Sequence, residues 1–151
     1  MIQQFVGSVE WGDLDFLIID APPGTGDEPI SVVQTITDAK GVIVTTPQEV
    51  ALADIRKSIS FCRTVKMEVV GIVENMSSFV CPHCNEPVDL FKTGGGKATA
   101  EKMGINFLGD IPFDTEVVRS GDSGEPLMLN RYDSRFAEAF NRIVDNITSR
   151  L

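Results

Sequence analysis

Asp20 is the residue whose position in the sequence most directly predicts chemistry. It ends the apolar run Leu14-Asp-Phe-Leu-Ile-Ile-Asp20, and the turn Ala-Pro-Pro-Gly-Thr-Gly26 follows at once. A buried parallel strand of this kind delivers a carboxylate to its carboxyl end, and the loop after it presents free backbone N–H groups. Nucleotide-binding folds use this combination to hold Mg²⁺ beside phosphate. The stretch therefore predicts a metal and phosphate site at Asp20.

The loop after this carboxylate looks like a phosphate loop but lacks the chemistry of one. That motif is G-x-x-x-x-G-K-[ST], in which the lysine reaches the outer phosphates and the hydroxyl reaches the metal. When the motif is aligned on Gly26, its first glycine, lysine and hydroxyl positions hold Ala21, Asp27 and Glu28. Two carboxylates would face the phosphates where a cation is needed. Residues 14–29 are therefore interpreted as a metal-side strand and a switch loop.

The glycine run at Gly94-Gly-Gly-Lys97 is the other candidate for a phosphate loop, and it fails the same comparison. Phe91 stands where the first glycine belongs, and Ala98 replaces the hydroxyl residue after the lysine. Neither glycine-rich segment of the sequence is predicted to cradle phosphate.

Cys81-Pro-His-Cys84 is the second candidate site. Two thiols separated by two residues can converge on one metal ion or bridge to one iron–sulfur cluster. A tetrahedral zinc site needs four ligands, and the sequence holds no second pair of cysteines with this spacing. The other two ligands could come from a second copy of the chain across a two-fold axis, which would give four thiolates.

Other interpretations of the cysteine pair stay open, namely half of a zinc knuckle, a redox pair and a chance pair of loop thiols. A thioredoxin-like motif should open a helix after a strand, whereas Asn85-Glu-Pro87 disfavours a helix here. His83 is expected to be exposed. Cys62 lies on the apolar stripe of a predicted helix and is expected to be a core residue.

Asn75 closes a strand-like run and is a candidate for base recognition. Its side-chain amide could hydrogen-bond to the edge of an adenine, but asparagine is equally at home as a turn former. Periodicity alone leaves both interpretations open.

Composition narrows the class of protein. The 151 residues, 42% of them hydrophobic, fit a single domain over 1–151 with a sizeable core. A net charge of −9 argues against binding to nucleic acid or to an anionic membrane. No apolar run approaches the roughly 20 residues that a membrane span needs. Three cysteines do not make a secreted disulfide framework, and no signal peptide is recognised, so a cytoplasmic location is expected.

Strand-like and helix-like segments alternate along the chain. The patterns predict helices over 2–9, 29–38, 49–65, 97–103 and 133–150, and strands over 14–20, 41–46, 68–75 and 106–111. The alternation predicts an α/β fold in which a mostly parallel sheet carries helices on both faces. The loop over 76–93 is long enough that a functional role is expected.

Taken together, these residues resemble the Mrp-type iron–sulfur cluster carrier ATPases, a branch of the deviant-Walker P-loop ATPases that includes MinD and ParA. The resemblance runs over essentially the whole chain. It is carried by Asp15-Phe-Leu-Ile-Ile-Asp-Ala-Pro-Pro-Gly-Thr-Gly-Asp27, Val73-Glu-Asn-Met-Ser77, Cys81-Pro-His-Cys84, Gly94-Gly-Gly96, Leu108-Gly-Asp-Ile-Pro-Phe-Asp114 and Gly121-Asp-Ser-Gly-Glu-Pro126.

The resemblance implies part of a P-loop NTPase fold and an ATP site with Mg²⁺. Asp20 would be the catalytic carboxylate that orients the water shell of Mg²⁺. The implied nucleotide-binding residues are Pro22, Pro23 and Gly24 in the switch loop, Asn75 at the adenine, and Pro112 and Phe113 as a wall beside the base.

For the cysteines, the resemblance implies that Cys81 and Cys84 share a [4Fe–4S] cluster with the same pair of a second subunit. The chain would then be a homodimeric carrier or scaffold that delivers the cluster to apo iron–sulfur proteins. The alternative is a non-enzymatic interaction module in which zinc takes the place of the cluster. A thiol–disulfide enzyme is a third possibility, and it requires a reactive Cys81 or Cys84.

The sequence departs from the family pattern at one place. Family members carry a phosphate loop with two lysines well before the metal-side strand, and here that strand is predicted to begin at residue 14. The chain therefore matches the Walker B side and the cysteine loop, with a missing amino-terminal half as an expected partner. Without the phosphate loop, the chain is expected to bind ATP weakly and to hydrolyse it negligibly. Cluster binding needs only the cysteines and a dimer.

Overall fold

Strands and helices alternate in the computed structural model, which describes residues 2–22, 24, 26–81, 83–84, 86–88, 90–130 and 133–151. The helices are α1 (Ile2–Ser8), α2 (Asp27–Thr35), α3 (Glu49–Thr64), α4 (Gly95–Met103), α5 (Thr115–Ser123), α6 (Leu127–Asn130) and α7 (Arg135–Thr148). The strands are β1 (Lys40–Thr45), β2 (Glu68–Glu74), β3 (Phe79–Val80), β4 (Pro87–Val88) and β5 (Phe107–Asp110).

The main sheet of the described chain is parallel and has the order β1-β2-β5. In its register Thr45 lies opposite Glu74, and Glu74 lies opposite Asp110. Because parallel strands end at the same edge, the residues that follow these three strands are brought together. The predicted α/β class with a mostly parallel sheet is confirmed.

One face of the sheet is covered by α3 and α4. The apolar stripe of α3 packs with Ile72 of β2 and Ala100 of α4, and its buried residues are Leu52, Ile55 and Ile59. Cys62 belongs to the same stripe and is 3% exposed, as expected for a core residue. The helix is amphipathic because these residues recur at three- and four-residue intervals.

The opposite face is covered by α7. Ile143 of that helix packs with Val70 and Val73 of β2, with Leu108 of β5 and with Ile111. Helices therefore lie on both faces of β2 and shield its apolar side chains from water. Among the described residues, no helix is long and apolar enough to cross a membrane.

The predicted strand over 14–20 is wrong: in the described chain these residues join no strand. Their backbone makes no hydrogen bond to another described residue. Phe16 and Ile18, which the pattern places in a buried strand, are 58% and 91% exposed. A strand forms only where a neighbour supplies ladder hydrogen bonds and covers its side chains, and no described strand does so here.

The first strand of the sheet has an open edge on the side that faces this segment. β1 pairs only with β2 among the described strands, and Val42 and Val44 are 38% and 59% exposed. A cavity of about 630 Å³ is lined both by these two valines and by Leu17 and Ile19. The apolar side chains of the 14–20 segment therefore border a gap rather than a core.

Periodicity did not predict the hairpin β3–β4 or the helices α5 and α6. Strands of two residues are too short to show alternation. A signal for α5 was present, since its N-cap Asp114 accepts a hydrogen bond from the Glu116 amide at 2.8 Å. The helix ends at Gly124, whose φ of 72° is typical of a helix C-terminus.

Gly71 supplies a test of the packing between β2 and β5. A Cβ at this position would lie 2.5 Å from Leu108 Cγ and 2.7 Å from the Asn106 carbonyl oxygen. Gly71→Ala is therefore expected to lower the free energy of unfolding in urea by about 1–3 kcal/mol. Gly121→Ala in α5, where a Cβ would meet no atom within 4 Å, is the control and should not destabilise the protein. Equal unfolding midpoints for the two variants would contradict this packing.

Candidate functional site

The carboxyl edge of the sheet brings together several residues expected to bind nucleotide. Pro22, Gly24 and Asn75 line the same cavity of about 630 Å³, together with Thr45 and Thr46 at the end of β1. The backbone N–H of Asn75 donates to the Thr45 carbonyl at 2.6 Å, which extends the β1–β2 ladder by one bond beyond Glu74. The sheet thus fixes the backbone of Asn75 at the mouth of this cavity.

The side chain of Asn75 forms a local turn and keeps a free donor. Its Oδ1 accepts a hydrogen bond from the Met76 amide at 2.9 Å, and Met76 adopts a left-handed φ of 55°. The side-chain nitrogen Nδ2 of Asn75 donates to no other described residue, so it is available to an acceptor such as a ring nitrogen of adenine. The turn-forming and base-binding interpretations of Asn75 are therefore compatible.

Asp20 is not part of the cavity lining, although its neighbours Ile19 and Ala21 are. Its side chain is exposed and makes no ion pair or hydrogen bond with another described residue. Pro23, the other switch-loop residue, lies outside the described residues. The structure therefore brings Pro22 and Gly24 to Asn75 but leaves Asp20 at the surface beside them.

Phe113 is tied to the cysteine loop rather than to the cavity. Its amide donates to the Ser78 carbonyl at 2.6 Å, and its ring meets the ring of Phe79 edge-on at a centroid distance of 5.8 Å. Neither Phe113 nor the half-buried Pro112 lines the cavity near Asn75. Phe113, which was expected to flank the nucleobase, therefore lies against the first strand of the cysteine hairpin.

The cysteine pair lies at the tip of the hairpin formed by β3 and β4. These antiparallel strands pair Phe79 with Val88, and the Cys81 amide extends the ladder by donating to the Glu86 carbonyl at 2.9 Å. Cys81 is half-buried, while Cys84 and the intervening His83 are exposed. A hairpin tip is not the helix N-terminus that a thioredoxin-like pair requires.

The two kinds of cysteine differ in acidity. The pKa of the Cys81 thiol is lowered, first by the backbone N–H of Cys84, and then by the backbone of His83 and the thiol of Cys84. Hydrogen bonds of this kind stabilise the thiolate, which is the form that binds metals. Burial raises the pKa of the Cys62 thiol, which stays protonated in the core. The hairpin thus favours a thiolate at Cys81.

Glu74 is the residue of this edge that sequence reasoning missed. It is fully buried, and its carboxylate accepts hydrogen bonds from Ser77 Oγ at 2.5 Å, the Gly94 amide at 2.9 Å and the Gly96 amide at 2.5 Å. A signal was present, because a charged residue at the end of an apolar strand must find buried partners. The sequence does not show which donors those are.

The glycine run before α4 is explained by these contacts. Gly94 has a left-handed φ of 81°, and a Cβ on Gly95 would lie 2.8 Å from the Pro47 carbonyl oxygen. A Cβ on Gly96 would lie 3.0 Å from the Glu74 carboxylate. The N–H groups at this helix start bind a carboxylate of the protein itself, in agreement with the conclusion that the run is not a phosphate loop.

No group of three or more His, Cys, Asp or Glu side chains gathers into a metal site within the described part of the chain. Cys81 and Cys84 therefore offer two thiols, with no third or fourth candidate ligand gathered around them among the described residues. A four-thiolate site would need ligands from outside this set.

The parallel sheet, with Thr46 and Asn75 gathered beyond the carboxyl ends of its strands, defines an open α/β protein of the type that binds ligands at this edge. Residues 1–148 match the family model described as ParA, NUBPL iron-transfer P-loop NTPase. The chain therefore belongs to this family of iron-transfer P-loop NTPases, and the resemblance seen in the sequence is confirmed.

The curated relatives of this chain carry names that fit an iron-transfer family. The chain is 46% identical over 151 residues to the iron-sulfur cluster carrier protein of Methanocaldococcus jannaschii, covering 99% of this chain and 51% of that protein. It is 42% identical over 154 residues to the cytosolic Fe-S cluster assembly factor CFD1 of Saccharomyces cerevisiae, covering 97% and 53%. The chain spans about half the length of the curated relatives it matches.

Solved structures show the same fold. The nucleotide-binding protein of Archaeoglobus fulgidus, in complex with ADP, superposes with a TM-score of 0.76 at 42% identity over 92% of this chain and 56% of its own. The cell division ATPase MinD of Pyrococcus furiosus superposes with a TM-score of 0.74 at 20% identity over 98% and 57%. At that identity, the likeness to MinD concerns the fold alone.

The acidity of the thiols can be tested by alkylation in the metal-free protein. Because the pKa of Cys81 is lowered, its thiolate persists at lower pH, and its alkylation rate should fall at a lower pH than that of a cysteine in a short peptide. Cys62 should react last at every pH, because it is buried and its pKa is raised. The measurement is peptide mapping by mass spectrometry after timed labelling.

Cys84→Ser is the informative variant for this prediction. The backbone N–H of residue 84 contributes most to the lowered pKa of Cys81, and the variant retains it. Cys81 in the variant should therefore stay more acidic than the cysteine of the short peptide. A Cys81 profile identical to the peptide in the unmodified chain would contradict the hairpin geometry.

Proposed function

We propose that this chain is the cluster-binding part of an iron–sulfur cluster carrier. Cys81 and Cys84 bind a [4Fe–4S] cluster as cargo, together with the same pair of a second copy, and pass it to apo iron–sulfur proteins. The observation that carries the proposal is the pair of free thiols at an exposed hairpin tip, with the pKa of Cys81 lowered. The names of the relatives from M. jannaschii and S. cerevisiae support the same function.

The geometry of the hairpin suits a shared cluster. A [4Fe–4S] cluster takes four thiolates, and each chain offers two at a tip that projects from the sheet edge. Since no third ligand gathers there among the described residues, a two-fold dimer is the simplest way to complete the set. An exposed position of Cys84 also suits a cargo that must leave for another protein.

Nucleotide binding is proposed at the cavity beside Asn75. The side-chain amide of Asn75 would contact the base, and Pro22 and Gly24 would lie toward the phosphates. The A. fulgidus protein, whose structure is a complex with ADP, supports nucleotide binding as such. Asp20 carries the oxygen ligands that Mg²⁺ prefers and lies next in sequence to the cavity-lining Ile19. In this role its carboxylate would orient the metal's water shell.

The cavity between β1 and the 14–20 segment suggests where the rest of the ATPase site belongs. Its walls are mostly apolar, with Leu17, Val42 and Val44 exposed, and β1 has a free edge in the described chain. We place along the free edge of β1, in the part of this cavity away from Asn75, a strand from the half of the relatives' length that this chain does not match. Such a strand would pair with β1 and would bring the phosphate loop to the carboxyl edge.

The same proposal includes a single domain over 1–151 and a cytoplasmic location. Both apolar clusters pack on the one main sheet, which favours a single unit. The free thiols would stay reduced in the cytoplasm, and the S. cerevisiae relative is named a cytosolic factor.

Anaerobic reconstitution with iron and sulfide tests the cluster assignment. The wild-type chain should take up about half a [4Fe–4S] cluster per chain and become a dimer, because four thiolates from two chains hold one cluster. Cys81→Ser should lose the cluster absorbance, while Cys62→Ala should keep it, since Cys62 is buried away from the hairpin. The measurements are absorbance, iron content and mass in solution.

A wild-type spectrum no different from that of Cys81→Ser would overturn the cluster assignment. Protein that instead holds about half a zinc per chain, lost with the thiols and not displaced by iron and sulfide, would favour the zinc-bridged module.

Titration with Mg·ADP, followed by NMR of backbone amides, tests the nucleotide site. Asn75→Ala should weaken binding by about tenfold, since one hydrogen bond to the base is lost. Asn141→Ala, an exposed asparagine on α7, is the matched control and should leave binding unchanged. Amide shifts confined to residues far from Thr45 and Asn75 would contradict this location of the site.

A further inference from the structure

Both ends of the loop that carries the cysteines are hydrogen-bonded to one side chain, that of Glu74. The loop leaves the sheet after Glu74 and returns at the start of α4. At its entry Ser77 Oγ donates to the Glu74 carboxylate at 2.5 Å, and at its exit the amides of Gly94 and Gly96 donate to the same group at 2.9 and 2.5 Å. The carboxylate therefore closes a ring around the whole 77–93 segment.

These contacts are strong ones. Glu74 is 0% exposed and forms no ion pair with a cation among the described residues, so its charge is balanced by hydrogen bonds alone. Two of the donors are at the N-terminus of α4, where the helix dipole also favours an anion. Hydrogen bonds to a charged, buried acceptor are about twice as strong as neutral ones.

The ends of the loop also have an unusual backbone. Met76, just before Ser77, and Lys92, two residues before Gly94, have left-handed φ values of 55° and 69°. Non-glycine residues adopt this region at a cost and stay there only where the surroundings fix them. The closing contacts at Glu74 lie next to both residues in sequence and supply that constraint.

Two backbone hydrogen bonds also hold the residues before β3 against the segment that follows β5. The Ser77 amide donates to the Ile111 carbonyl at 3.0 Å, and the Phe113 amide donates to the Ser78 carbonyl at 2.6 Å. The edge-on contact of Phe79 and Phe113 continues this line into β3. With Ser77 held by Glu74, the first residues of the hairpin are fixed on two sides.

We propose that Glu74 is a positioning residue for the cysteine hairpin. By holding Ser77 and the glycine turn on one carboxylate, it sets where Cys81 and Cys84 stand relative to the sheet edge and to Asn75, its own neighbour in sequence. This positioning rests on hydrogen bonds seen in the chain, and its consequence for the cluster rests on the proposed carrier function.

The chemistry of the side chain is specific. All three partners are donors, and a carboxylate is an acceptor at both oxygens. Glutamine at this position would turn an NH₂ toward one of those donors, and a buried donor would lose its partner. Ser77→Ala is milder, because it removes one donor and leaves the two glycine amides on the carboxylate.

Hydrogen exchange of the metal-free chain, read amide by amide, tests the positioning role. In Glu74→Gln the amides of residues 76–93 should exchange roughly tenfold faster or more, while those of Val70 and Val73 in β2 keep their rates. Ser77→Ala should show the same pattern with a smaller factor. Glu68→Gln is the matched control, since it changes the exposed glutamate at the other end of β2.

Equal acceleration in the loop and in β2 would overturn the proposal, because a residue that only stabilises the fold affects both. Unchanged loop amides in both variants would overturn it too. If Glu74→Gln fails to fold, Ser77→Ala decides between these outcomes.

A second measurement tests the consequence for the cargo. The reconstituted Glu74→Gln protein should lose its cluster to an iron chelator about tenfold faster than the Glu68→Gln protein, because its thiols are held less firmly. Equal loss rates would overturn the effect on the cluster. If the wild-type chain takes up no cluster, the carrier function fails, and the exchange experiment still decides the role of Glu74.

Discussion

The site depends on one carboxylate buried at the edge of a parallel sheet. Glu74 is the last residue of the central strand, where it is fully buried and pairs with no cation among the described residues. The backbone N–H groups at the start of α4 take that role, which forces the chain to return to the sheet edge after the cysteine hairpin. The long loop is therefore closed at its base, and Cys84 is exposed on the hairpin beyond it.

A closed base and an exposed thiol agree with the proposed cargo. The base of the hairpin is fixed by Glu74 and by Phe113, whereas Cys84 at the tip is exposed. Thiolates that must bind a cluster firmly and later release it need a defined separation together with access from solvent. At the proposed nucleotide site, Asn75 is held at the sheet edge, whereas the segment around Asp20 has no partner strand among the described residues.

Most of the fold could be predicted from the sequence, because its helices and central strands have strong periodicity. The buried stripe of α3, the three strands of the main sheet and the C-terminal stop of α4 at Gly104 agree with the patterns. The strand expected over 14–20 was wrong because strand formation depends on a neighbour, which a run of apolar residues does not reveal. The short β3 and β4 carry no periodic signal.

The sequence by itself determined the class of fold, the family and the identity of the candidate residues, since these follow from residue types at fixed spacings. Only the tertiary structure decided how they are grouped: Pro22 and Asn75 line one cavity, whereas Phe113 contacts the cysteine hairpin. The tertiary structure also showed which donors satisfy the Glu74 carboxylate. A buried charge must be satisfied, but two of its three donors lie 20 and 22 residues away in the chain, and only the return of the backbone brings them to Glu74.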